Sequence, residues 1–262
     1  MLTFFRRIRQ GLLTQNRFSK YILYAIGEIV LVVIGILIAL SINNWNDSRK
    51  EAKQEQLILQ KLKLELTNDI KDIQTQIYIG QGYKREIKFC LEVLANQTQA
   101  SEAEFEENLS SSLVMIGFDI NRTTFNGITE SRTIDYIKNS QLIDSLNLFY
   151  NTDYKGWDTA IKDYTRNVIG PFLMNFDHIP QVRYDKFGGN SAGFSDSDFS
   201  SIDITQFEVP KKTIQEYKQN VFILNLLRQR LWLVEGQLLH YKKLQSKMQR
   251  LVQQIEQEIK TG

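Results

Sequence analysis

A single carboxylate, Glu28, stands inside the apolar run YAIGEIVLVVIGILIAL, Tyr24 to Leu40. Three kinds of chemistry suit an acid in such a place: a hydrogen-bonding group in a helix–helix interface, a shallow group reaching headgroups or water, or a proton carrier. On a helix, Gly35 falls about 20° to one side of Glu28 and Ala39 about 20° to the other, so the three residues share one stripe. Gly35-x-x-x-Ala39 has the small-xxx-small spacing that lets two helix backbones approach. The carboxylate therefore points at a helix partner, a second copy of the chain or another membrane protein, rather than at lipid.

Other residues mimic catalytic or metal-binding patterns. Gly189-Asn190-Ser191-Ala192-Gly193 is a literal G-x-S-x-G, and Asp203 and His240 follow in the chain order of a hydrolase triad. A nucleophile elbow needs a core strand before it and a helix after it. Here "FSDSDFSS" follows, and Asp203 comes twelve residues after the serine, so catalysis is not expected. Asp196, Asp198 and Asp203 suggest calcium, but position six counted from Asp196 is Ser201 and position twelve is Phe207, where a calcium loop wants glycine and glutamate. Cys90 is the sole cysteine, which excludes an internal disulfide, and with Ile87, Leu91 and Leu94 it reads as a small buried apolar residue. His178 and His240 are far apart in sequence, so neither a metal site nor a cofactor is expected. Trp157, Trp232 and the tyrosines are expected in the core, with an aromatic ligand cage as the alternative.

The element that must position Glu28 is a transmembrane helix. Tyr21 to Ile42 gives 22 residues, close to the ~20 that span a ~30 Å hydrocarbon layer. Tyr21 and Tyr24 at one end and Trp45 at the other fit the interfacial aromatic belts. Arg6, Arg7, Arg9, Arg17 and Lys20 precede the span without an acid, so the total charge of +2 leaves −3 for everything after residue 20. That asymmetry predicts a cytoplasmic N-terminus. Residues 1–20 read as a basic amphipathic cytoplasmic tail, with Phe4, Phe5, Ile8 and Leu12 on one face lying on the anionic inner leaflet. The partner implied by the basic charge is the lipid bilayer, and nucleic acid is not expected. A signal peptide cleaved after Ala39-Leu40-Ser41 is the rival reading; the long basic region and the unbroken helical pattern beyond residue 41 favour a retained anchor.

Residues 21–45 are thus the span and 46–262 the domain outside. With 42% hydrophobic residues the chain is too apolar for disorder. Leu59, Leu62, Leu66, Ile70, Ile73 and Ile77 recur in steps of three and four, so the span is expected to continue as one helix, with a possible kink at Gly80-Gln81-Gly82. Ser101-x-x-Glu104 signals a second helix, residues 122–146 read as two short helical pieces followed by a start at Asn139 or Ser140, and that last helix is expected to run to Pro171. All three prolines, Pro171, Pro180 and Pro210, fall in an irregular insert, 171–212, with room for a hairpin near "QVRYDKFGG". The last helix, 213–260, should pair antiparallel with 46–95, returning the C-terminus toward the membrane. The expected fold is all-α: one N-terminal transmembrane helix continuing into an elongated antiparallel periplasmic helical bundle with one irregular insert.

"FSKYILYAIGEIVLVVIGILIALSINNWND", with "IDYIKNSQLIDSLNLFYN" and "LLHYKKLQSKMQRLVQQIEQEIK", resembles nearly end to end a family of bacterial membrane-anchored proteins labelled only as a domain of unknown function. In that family YAIGEI stands at the same place, which implies that Glu28 belongs to its pattern. The resemblance brings no activity, and it implies a Gram-negative inner membrane with the main domain in the periplasm. The layout alone is also similar to that of stator subunits of proton-driven motors, although those carry an aspartate in the span and an α/β outer domain. The expectation is a non-catalytic membrane-anchored scaffold or partner-binding subunit; the alternatives are a periplasmic ligand-sensing bundle signalling through a partner and a stator-like proton-coupled subunit using Glu28.

Overall fold

In the computed structural model, which describes residues 18–177 and 211–261, the chain is all-α, with no strand among the described residues. Helix α1 runs from Phe18 to Leu94, α2 from Glu102 to Ser110, α3 from Thr123 to Glu130, α4 from Ser140 to Asn151, α5 from Gly156 to Tyr164, α6 from Gly170 to Phe176, α7 from Ile214 to Lys218 and α8 from Val221 to Thr261. Two compact units emerge, Met1–Leu57 and Ile58–Gly262, and α1 contributes to both.

In the first unit the described helix is apolar and exposed. Large side chains from Ile22 to Ile42 face outward all round it, and in length and composition the helix is able to cross a membrane. Where the apolar run ends, the Arg49 guanidinium lies over the Trp45 ring at 5.9 Å, and Asp47 accepts hydrogen bonds from Asn43 and Lys50 at 3.1 Å. An amphipathic ring with a cation against it suits a membrane–water boundary.

The second unit is built on an antiparallel pair. Lys63 pairs with Glu256 at 2.7 Å, and one stretch further along α1, Lys84 pairs with Glu235 at 2.9 Å; the 21-residue advance on α1 matches a 21-residue retreat on α8. Register is kept because both helices bury residues alternately three and four apart. On α1 these are Leu59, Leu62, Leu66, Asp69 and Ile73; on α8 they are Ile223, Leu227, Arg230, Val234, Gln237, Tyr241, Leu244, Met248, Leu251 and Ile255. One apolar cluster joins Leu59, Leu62, Leu66 and Ile73 of α1 and Val234, Tyr241, Leu244, Met248, Leu251 and Ile255 of α8 to Phe125, Ile128, Leu142, Leu146, Phe149 and Tyr150. A second joins Cys90, Val93 and Leu94 to Phe105, Leu109, Leu173, Tyr217 and Leu226.

Several local expectations meet different physics. Gly80 does not kink α1, which is helical throughout 18–94; its lack of a side chain admits Ile116 and Leu238, whose carbons lie 2.7 and 2.9 Å from where a Cβ would stand. The expected helix from 139 or 140 to Pro171 is broken at 152–155, where Asp153 accepts a hydrogen bond from the Lys155 amide at 2.9 Å. Pro171 does not stop the helical path. A π-turn, Thr165–Ile169, intervenes, and Pro171 sits in the first turn of α6, where its missing N–H costs nothing. The last helix starts anew at Val221 after the short, box-capped α7. The expected starts at Ser101 and Asn139 do occur, each side chain accepting an N-cap hydrogen bond. Pro180, Pro210 and the hairpin expected near 181–189 lie outside the described residues.

Candidate functional site

Glu28, Gly35 and Ala39 stand on the exposed surface of α1, and at helical spacing they form one stripe. No atom lies within 4 Å of where a Cβ on Gly35 would be, so the backbone of this face is open to a partner helix there. Arg6, Arg7, Arg9 and Arg17 lie outside the described residues; Lys20 is in the helix, with its side chain not described.

The second unit holds a polar arrangement that the sequence reading passed over. Residues 114–122 form a non-helical connector between the short turn 111–113 and α3, and its backbone groups cannot be satisfied by a helix ladder. Side chains from the two long helices and from α5 supply the partners instead. Arg230 donates to the carbonyls of Ser112, at 2.8 Å through Nε, and Val114. Gln237 Nε2 donates to the Ile116 carbonyl at 3.0 Å. Asp158 Oδ2 accepts from the Phe118 amide at 3.2 Å, while its Oδ1 accepts from Gln237 and from the Tyr241 hydroxyl, both at 2.7 Å. Asp69 accepts the Asn121 amide at 3.0 Å, and Glu65 takes the Thr124 amide and hydroxyl at the start of α3. Beside these, Ser111 donates to the buried carboxylate of Glu86.

Electrostatics follow from this burial. Desolvation raises the Asp69 carboxyl to about 6, against the lowering effect of the Asn121 amide and with further upward pushes from Asp72, Glu65 and Asp119. Burial, aided by the Asp158 carboxylate, keeps the Tyr241 phenol protonated at any physiological pH. Burial likewise pushes the Cys90 thiol far up, and its Sγ is 3.8 Å from the Phe105 carbonyl, as befits an unreactive packed thiol.

Other sequence candidates end in structural roles or beyond view. His240 engages the Tyr154 carbonyl at 3.0 Å. The Ser191 motif, Asp196, Asp198, Asp203 and His178 lie outside the described residues. Trp157 is half-buried, and Trp232 is exposed rather than in the core, its ring 5.4 Å from that of Trp157. Tyr150, Tyr217 and Tyr241 are buried, whereas Tyr78 is exposed. Among the described residues no group of three His, Cys, Asp or Glu is arranged to hold a metal.

Asp69, Arg230 and Gln237 had a legible signal. Each keeps the three–four phase of its helix, but Ile70, Leu231 and Leu238, one position later, also fit a looser apolar pattern and hide it. Comparison with known proteins adds a family without a chemistry. No curated protein matches, and no solved structure matches. The family match is narrower than the likeness read from the sequence, because it stops short of α8. Residues 28–149, from the lone carboxylate of the apolar helix to Phe149 in α4, match the model of a family of unknown function, DUF6090.

Proposed function

We propose that the protein is a membrane-anchored, non-catalytic scaffold or partner-binding subunit that associates within the bilayer through Glu28, Gly35 and Ala39. The observation that carries this reading is the open stripe itself: one carboxylate in line with a glycine and an alanine, on a helix whose apolar side chains are exposed from Ile22 to Ile42. In hydrocarbon an isolated carboxylate costs about 3 kcal/mol near the helix centre, and partner contact relieves that cost. The proposed topology places the basic N-terminal tail on the cytoplasmic leaflet and the helical bundle in the periplasm, held at the inner membrane by one span.

Crosslinking in native membranes, followed by sizing in detergent, tests the assignment. Glu28→Gln and Gly35→Leu should each reduce the crosslinked species, whether it is a dimer of this chain or a complex with another membrane protein. Unchanged crosslinking in both variants overturns the interface. A Glu28→Gln protein that assembles normally but loses a membrane-potential-dependent phenotype reassigns the residue to proton transfer.

A further inference from the structure

Two segments that leave the helical path, the connector 114–122 and the break 152–155, line one cavity of about 430 Å³, within the ~300–1,000 Å³ of small-molecule sites. Irregular backbone carried on packed helices is where binding groups are commonly placed. The two walls are tied together twice. Lys155 Nζ pairs with Asp119 Oδ2 at 2.8 Å, and Arg122 Nη2 donates to the Thr152 carbonyl at 3.4 Å. Asp153 is fixed in turn, because its Oδ1 accepts the Lys155 amide at 2.9 Å. A ligand entering between walls already joined has little backbone left to order.

The charges of this lining do not all cancel in place. Asp119 and Lys155 neutralise each other, whereas Arg122 and Asp153 line the same cavity and form no ion pair, either with each other or with any other described residue. One N–H of the Arg122 fork is used, on Nη2, and one oxygen of Asp153, leaving donors and an acceptor on opposite charges. In sum the lining is neutral, Arg122 and Lys155 against Asp119 and Asp153. A polyanion would meet the two carboxylates and a divalent cation the two basic groups, so like charge disfavours both. A zwitterion meets neither penalty. Ile120 is the one apolar residue of the lining and is itself buried, so the cavity offers little to a bulky apolar group.

We propose that this cavity binds a small zwitterion of amino-acid type, with a small or polar side chain, the Arg122 fork taking its carboxylate and Asp153 its ammonium group. A guanidinium matches a carboxylate through two parallel N–H bonds, and a carboxylate on an ammonium group forms a charge-assisted hydrogen bond. One end of a peptide carries a single charge and satisfies half of the site. Every lining residue belongs to the second unit, so binding does not require the assembly proposed through Glu28.

The test is isothermal titration calorimetry on the full chain in detergent, with the small and polar standard amino acids, glycine, alanine and serine first, and with the N-acetyl and carboxamide forms of any that binds. At least one free amino acid should give a saturable heat at one site per chain. Blocking either of its charges should weaken binding by roughly tenfold or more, the loss of one charge-assisted contact, and this comparison leaves the protein unaltered. Asp153→Asn keeps an acceptor for the Lys155 amide, and Arg122→Lys keeps the positive charge without the fork; each should weaken the same ligand by a similar factor while the helical circular dichroism is kept. Heat from none of these amino acids, blocked forms that bind as well as the free one, or affinity undiminished in Asp153→Asn overturns the proposal.

Discussion

Asp69, Arg230 and Gln237 stand where a helical bundle normally places leucine, and each reaches the backbone of residues 112–121, Gln237 meeting the Asp158 carboxylate as well. Replacing such a group with a short apolar one would strand the buried peptide groups it serves, which costs about 1–3 kcal/mol apiece. Asp69 makes the most readable experiment. Its folded-state pKa, about 6, lies above the ordinary 3.8, so its contribution favours the folded state below pH 4 and is lost as pH rises through 6. Asp69→Asn keeps an oxygen for the Asn121 amide and removes the titration. The variant should therefore gain stability relative to the wild type between pH 4 and pH 6 and hold that gain at pH 7, as read from urea midpoints; a constant difference across that range would remove Asp69 from the pH response. Leu66, fully buried in the same phase of α1, should cost roughly 2–5 kcal/mol as Leu66→Ala, measured by the same midpoints.

At the scale of elements, the long pair α1 and α8 is fixed by the three–four alternation of buried residues, and glycines set how closely other elements approach it. Gly236 is the tightest case: a Cβ there would stand 2.2 Å from the Trp157 ring, where α5 crosses α8. Gly236→Ala must displace that ring, and since Trp157 neighbours the exposed Trp232, the tryptophan emission should shift to longer wavelength while far-ultraviolet circular dichroism stays helical. An unchanged spectrum would mean that the ring already samples another position. Gly80 works the same way against Ile116 and Leu238, tying the connector to both long helices.

For the whole molecule, the chain divides into two units, Met1–Leu57, whose described part is the exposed apolar stretch of α1, and Ile58–Gly262, which holds the described core. The proposed topology is read by labelling. Cys90 is fully buried and should stay unmodified in the folded protein, whereas Gln97→Cys, exposed in the loop after α1, should react with a membrane-impermeant thiol reagent once the outer membrane is opened. Reaction only after the inner membrane is permeabilised would reverse the orientation and move the bundle to the cytoplasm.

The all-α class, the span-like helix around Glu28 and the N-caps at Ser101 and Asn139 follow from the sequence, because each rests on local physics: an apolar run, a three–four period, a side chain within reach of its own amides. The same local rules mispredicted 139–171 as one helix and gave no role to Arg230 or Gln237. A π-turn before Pro171 and a connector threaded between helices are decided by partners distant in the chain. Arg230 is a surface cation by composition and a core residue only because residues 112 and 114 bring it two unpaired carbonyls. Tertiary structure supplies those partners, and with them the place of a guanidinium in the core.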